Sequence, residues 1–394
     1  MRDRTNHHGR RTASPGPLVL AATGLSLLAS PAAGQTVDPF AGGQDEMFAA
    51  ESALVIESDE GSAMQFQLFG DVGARASSAE GDHPAFSIGT VDFFATTELS
   101  SRARVLTESV LEILDEGAVF DLERLYAEFY FAPEFSIRLG RDHMPLGYYG
   151  QRFHHAQLFQ LAAERPLVLG FEDEGGLLPA HVVGLTLMGT LSTGESLEIA
   201  YDLAVANGRG FNADDILNHG DRNLGKAVLG RITVRPLAVD GLEIGVSGSF
   251  DRIAAGADEG GVSSALGEAI FNAFFAWRNS DIDLIAEYFM VNHAYDDSFA
   301  ATAGEQVSST RLHAAFLQVG VPLGDWTPYA RFEEIQRDEA DLYFNASGSL
   351  VEAREVTAGV RRSFGSRLVT KLQVARGLLD DGETQVAFQA AFGL

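Results

Sequence analysis

The run Thr384-Gln385-Val386-Ala387-Phe388-Gln389-Ala390-Ala391-Phe392-Gly393-Leu394 decides the fold. Val386, Phe388, Ala390, Phe392 and Leu394 share one parity, with Gln385 and Gln389 on the other. Successive side chains of a strand point to opposite faces, so a period of two writes an apolar face against a polar one. The pattern recurs upstream. Leu242, Ile244, Val246 and Phe250 alternate with Glu243, Ser247, Ser249 and Asp251. Ala269, Phe271, Ala273, Phe275 and Trp277 form another face; Ile282, Leu284, Ala286, Tyr288 and Met290 form the next. Leu125, Ala127, Phe129 and Phe131 oppose Arg124, Tyr126, Glu128 and Tyr130. Helical periodicity is scarce.

About 16 runs of this kind are legible, each of roughly ten residues. They lie near 64–74, 86–100, 102–114, 120–131, 135–141, 180–191, 197–206, 226–234, 242–251, 268–278, 281–291, 309–322, 328–336, 351–363, 367–376 and 384–394. Tight connections fall near 132–134, 192–196, 235–241, 279–280, 324–325 and 365–366. Longer ones lie near 75–85, 142–179, 207–225, 252–267, 292–308 and 337–350, and two short ones near 115–119 and 377–383. A soluble sandwich has no reason to sort its loops by parity. A transmembrane antiparallel β-barrel does, with short periplasmic turns and long outer loops. Backbone polar groups in hydrocarbon must pair internally, which leaves only helices and closed barrels. No run reaches the 18 or so apolar residues of a membrane helix. Phe131, Trp277, Trp326, Phe364 and Phe392 sit beside the inferred periplasmic turns, as an interfacial girdle would. The fold expectation is all-β: one barrel of about 16 strands over 64–394.

Composition agrees. The chain has 394 residues, 28 Lys+Arg against 55 Asp+Glu, a net charge of −27 and no Cys. Lacking Cys, it has no disulfides, thiolate-held zinc, iron–sulfur cluster or Cys nucleophile. Its acidity excludes nucleic acid as a partner. Arg2, Arg4, Arg10 and Arg11, then the apolar stretch Leu18–Leu28 and the small Ala32-Ala33-Gly34, read as a signal peptide over 1–34, cut before Gln35. Removing it takes away four Arg and one Asp, so −27 becomes −30. Residues 35–63 read as an acidic periplasmic or lumenal lead-in. These features place the protein in the outer membrane of a Gram-negative bacterium.

Leu122-Glu123-Arg124-Leu125-Tyr126-Ala127-Glu128-Phe129 is followed by Ile137-Arg138-Leu139-Gly140-Arg141-Asp142-His143-Met144-Pro145-Leu146-Gly147. Together these resemble the strand–turn–strand of the phosphate-selective porin O and P family. Ala204-Val205-Ala206-Asn207-Gly208-Arg209-Gly210, Asn223 to Arg231 and Gly241-Leu242-Glu243-Ile244-Gly245 resemble it too. The resemblance covers roughly 64–394 and implies a homotrimeric diffusion channel, in some members anion-selective through interior Lys and Arg. This chain has two Lys in all, Lys226 and Lys371.

The polar parity supplies the pore-lining candidates Arg102, Arg104, Arg124, Glu128, Arg138, Arg141, Asp202, Glu243, Asp283, Glu287 and Arg331. Rings of fixed charge decide which ions enter a pore. Arg124, Arg138 and Arg141 cluster on one hairpin as anion contacts; Glu128, Asp202 and Glu287 are the cation side. The 38-residue connection 142–179 is too long to be idle. Folded inward, it would present Tyr148, Arg152, Arg165, Glu172, Asp173 and Glu174 at a constriction. His154-His155 lack ligand spacing and read as loop histidines, so no metal site is expected, and no cofactor. Gly220–Ala227 mimics a P-loop but ends in Ala where Ser or Thr must hold Mg²⁺. No G-x-S-x-G or H-E-x-x-H occurs, so an enzyme is not expected.

The expected function is therefore a porin: passive diffusion of small ions and polar solutes, with selectivity set by interior charge. Its partners are outer-membrane lipid and lipopolysaccharide. The alternative is a closed structural or adhesive barrel, whose acidic loops bind divalent ions that bridge to lipopolysaccharide.

Overall fold

Every one of the sixteen alternating runs forms a strand, because an apolar face and a polar face on one extended segment are both used only in a sheet with two different surroundings. The computed structural model describes residues 54–57, 63–79, 81–114, 117–154, 157–169, 177–211, 213, 225–254, 265–297, 307–347, 352–379 and 382–394. In chain order the strands are β1 (Leu54–Glu57), β2 (Ala63–Ser77), β3 (Ala85–Ser100), β4 (Ala103–Leu114), β5 (Gly117–Ala132) and β6 (Phe135–His143). There follow β7 (His181–Thr193), β8 (Leu197–Ala206), β9 (Ala227–Pro236), β10 (Leu242–Ala254), β11 (Ala265–Arg278) and β12 (Asp283–Tyr295). The last five are β13 (Ser309–Gly320), β14 (Trp326–Gln336), β15 (Ala353–Ser363), β16 (Leu368–Gly377) and β17 (Thr384–Gly393).

Each strand from β2 to β17 pairs antiparallel with the next, and β17 closes on β2 with Phe388 opposite Ala74. The result is a closed 16-strand barrel. The extra strand, β1, lies in the lead-in, where the alternation gave no signal, and pairs with the start of β2 through Val55 and Gln65. Described residues include no helix long and apolar enough to cross a membrane.

Parity sorts the two faces as the sequence leads one to expect. Leu125, Phe129, Ile244, Val246, Phe250, Phe271, Phe332, Leu372 and Phe388 are all exposed on the outside. An apolar belt of this extent belongs against lipid. Phe131, Trp326 and Phe364 are exposed beside the tight turns, and the Trp277 indole N–H donates to the Asp240 carbonyl in one of them at 3.2 Å.

Two irregularities matter for the interior. β5 carries an extra residue, Glu123, where Glu108 faces Arg124 and Ser109 faces Leu122. Such a bulge re-aims its neighbours, and Glu123 and Arg124 are both buried. Gly140 has φ +142°, and a Cβ there would run into the Leu125 carbonyl, so only glycine fits. Beyond it Arg141, Asp142 and His143 are all buried.

Candidate functional site

The long connection between β6 and β7 folds into the barrel. Its short helix α1 (Tyr149–Arg152) is fastened by a carboxylate from the wall. Glu287 on β12 accepts the backbone N–H of Tyr148 at 2.9 Å and of Tyr149 at 2.7 Å, and the Asn272 amide at 3.0 Å. Asn272 in turn accepts from the Ser247 hydroxyl, and Ser247 accepts the Gly147 N–H at 2.9 Å. Gly147 itself needs the left-handed conformation, with φ +70°. Burial pushes the Tyr149 phenol up to about 12, against the pull of Arg331 and Arg165, and raises Tyr148 as well. Both loop phenols are therefore neutral at ordinary pH.

Further along, Arg331 on β14 donates to the carbonyls of Glu164 (2.8 Å) and Arg165 (3.1 Å), while its neighbour Glu333 accepts the Leu167 N–H at 2.5 Å. Burial raises Glu164, despite the opposing charge of Arg331. Arg361 on β15 donates to the Leu158 carbonyl. Lys371 on β16, one of the two lysines, donates to the carbonyls of Gln157 (2.6 Å) and Ala162 (2.9 Å) and to Gln389 (2.9 Å). Arg152 reaches Glu243 on β10 at 3.2 Å. The wall thus supplies side chains where the loop has bare backbone groups, which cannot stay unpaired when buried. Apolar contacts complete the seat: Met144, Leu146, Tyr149 and Phe153 belong to one buried cluster with Phe274, Phe289 and Phe316 of the wall.

The facing wall, β4 to β6, is lined with ion pairs. Arg104 and Arg138 both reach Glu128, at 2.8 and 2.9 Å; Arg138 also reaches Asp142 at 3.1 Å, and Arg124 reaches Glu108 at 2.5 Å. Arg138 stacks over the Tyr126 ring, 4.6 Å from its centre. Each anion-contacting candidate of the hairpin is therefore matched with a carboxylate or, for Arg141, with the Glu123 carbonyl at 3.1 Å. Asp202 faces Arg231 at 3.7 Å, Glu243 also takes Arg235, and Asp283 takes Arg278 at 2.9 Å.

Of the eleven wall candidates, ten are inside. Arg102 is not: it sits exposed in the β3–β4 turn, because the strand begins only at Ala103 after an irregularity between Glu98 and Ser100. Glu287 is inside but is occupied with the loop backbone. In the inward loop, Tyr148, Arg152 and Arg165 are placed as described; Glu172, Asp173 and Glu174 lie outside the described residues.

One grouping escaped the sequence reading. His143 at the end of β6 and His181 at the start of β7 are register partners, and His154 of the loop comes between them. All three are buried, with ligand atoms within 4.8 Å of one another. Reading His154 beside His155 hid this; the signal was a histidine at each root of the longest loop.

No family model matches the sequence, and no curated protein matches it. Solved structures do share its fold. OmpF of Salmonella typhi, solved with daunomycin, aligns with a TM-score of 0.56 at 13% identity, over 86% of this chain and 100% of that one. An anion-selective porin from Comamonas acidovorans gives 0.55 at 12%, over 84% and 100%. The outer membrane channel DcaP of Acinetobacter baumannii gives 0.55 at 10%, over 86% and 99%. Identities this low establish the fold alone, a closed 16-strand antiparallel β-barrel.

Proposed function

We propose that this protein is a porin of the Gram-negative outer membrane, a passive diffusion channel for small ions and polar solutes, exported through a cleaved signal peptide over residues 1–34. The observation that carries the reading is the inward loop. A segment fastened across the interior by Glu287, Arg331, Glu333 and Lys371 narrows the barrel at a fixed place, which is how a wide barrel acquires a size limit and a charged gate. We read the chain as a channel and not an enzyme, assembled as a homotrimer and held in lipid and lipopolysaccharide; one solved neighbour, OmpT of Vibrio cholerae, is described in a trimer form.

The finer resemblance to the phosphate-selective porins implies anion preference, but the charges favour the opposite sign. Lys371 is committed to loop carbonyls and Arg104, Arg124 and Arg138 to carboxylates. The acidic mean of the chain is then uncompensated and attracts cations. A second reading, a closed structural barrel, draws on the apolar cluster that fills part of the interior. Planar-bilayer recording of the folded protein in a KCl gradient decides between them. Stepwise conductance with a cation-side reversal potential is expected; insertion without conductance would leave the structural reading.

A further inference from the structure

We propose that His143, His154 and His181, with the Glu123 carboxylate, form a divalent transition-metal site at the root of the inward loop. The three imidazoles come from three segments: the last residue of β6, the loop just beyond α1, and the first residue of β7. Their relative exposures are 6%, 9% and 5%. Ring centres lie 4.2 Å apart for His143 and His154, 4.8 Å for His154 and His181, and 5.4 Å for His143 and His181. The Glu123 Oε2 atom lies 2.7 Å from His181 Nε2 and 3.7 Å from His154 Nε2. Glu123 is the extra residue of the β5 bulge, which turns its side chain to this spot.

Three nitrogens and one carboxylate oxygen suit a tetrahedral ion. Zn²⁺ holds imidazole nitrogens at about 2.0–2.1 Å, hence roughly 3.3 Å from one another. Ligand atoms already within 4.8 Å need a shift of about an ångström or so, which the loop-borne His154 can make. The nitrogen-rich set selects Zn²⁺, Cu²⁺, Ni²⁺ or Co²⁺ over Ca²⁺ and Mg²⁺, which take oxygen. Glu108 stands just outside the ligand set, 3.8 Å from His143 Nε2 and bound to Arg124. A bound ion would join both roots of the loop to its first turn and to β5, locking the segment that the other anchors hold from the far side.

The test uses untagged full-length protein, folded in detergent as judged by its gel shift. Zn²⁺ is titrated by calorimetry, with His154→Ala as the variant and His83→Ala, exposed far from the cluster in sequence, as the control. One Zn²⁺ per chain is expected for wild type and His83→Ala, and binding weaker by roughly 10- to 100-fold or more for His154→Ala. Wild-type uptake no greater than that of His154→Ala would overturn the site. Should His154→Ala fail to fold, Cu²⁺ electron paramagnetic resonance of the wild type counts the ligands. Three coordinated imidazole nitrogens support the site, and fewer overturn it. Neither readout depends on conductance, so the channel reading stands or falls separately.

Discussion

At the scale of single residues, the interior is governed by groups that complete one another. Glu287 is the clearest case, since its two oxygens take the N–H groups of Tyr148 and Tyr149 and one also takes the Asn272 amide. Glu287→Ala strands those donors in a buried setting, at about 2–4 kcal/mol. The heat needed to shift the folded band on a gel should fall, and single-channel conductance should rise as the loop loosens; Glu287→Gln, which keeps one acceptor, should show a smaller change. Alternation puts Glu287 on the polar face of its strand, where it is buried, but says nothing of its partners. Parity gives the direction of a side chain, whereas its partners lie on loop backbone 138 and 139 residues away. The same limit hid the histidines, whose grouping depends on which strand ends meet.

Whole elements were far more legible. A strand between lipid and a polar interior must alternate whatever its neighbours are, so all sixteen runs could be read without knowing the pairing. β1 escaped because four residues are too few to show a period. The loops carry no period at all, and their order comes from specific bonds. In the connection after β14, Asp341 is fully buried and accepts from His293 (2.7 Å), Thr310 (2.6 Å) and the N–H groups of Tyr343 and Phe344 that lead into α2 (Phe344–Ser347). Burial works against its charge, but the hydrogen bond and charge of His293, with Thr310 and the Phe344 N–H, outweigh burial and hold its carboxyl below the usual value. Glu268 and Arg209 stand behind His293. A lowered folded value means stability that is present above the ordinary aspartate range, about 3.9, and is lost as pH falls through the folded value. Thermal midpoints of wild type and Asp341→Asn should therefore differ at neutral pH and converge as the pH drops below about 4.

For the molecule as a whole, selectivity in the proposed channel is a balance between an acidic chain and an arginine wall matched by carboxylates. Glu128 is the pivot, because it faces both Arg104 and Arg138. Glu128→Gln removes the carboxylate charge that Arg104 and Arg138 share and leaves Arg138 with Asp142, so the wall becomes one unit more positive. In a KCl gradient the reversal potential should move toward the anion side, with the cation-to-anion permeability ratio falling by a factor of about 2 to 5, or roughly 0.4–1 kcal/mol of screened field. An unchanged potential would mean that permeating ions do not pass this wall.

The inward loop also dictates an order of events in assembly. It is written between β6 and β7, yet its anchors follow it by 91 residues at Glu243 and by as many as 214 at Lys371. A chain emerging from its N-terminus makes the loop long before it makes the seat. Contacts of such separation are slow to close. Until β9 and β10 supply the first of these anchors, the segment has only its two roots to hold it, and those meet as soon as β6 and β7 pair. The roots therefore act as an early clamp on an otherwise unattached strap, and the final narrowing of the barrel waits for the last strands of the wall.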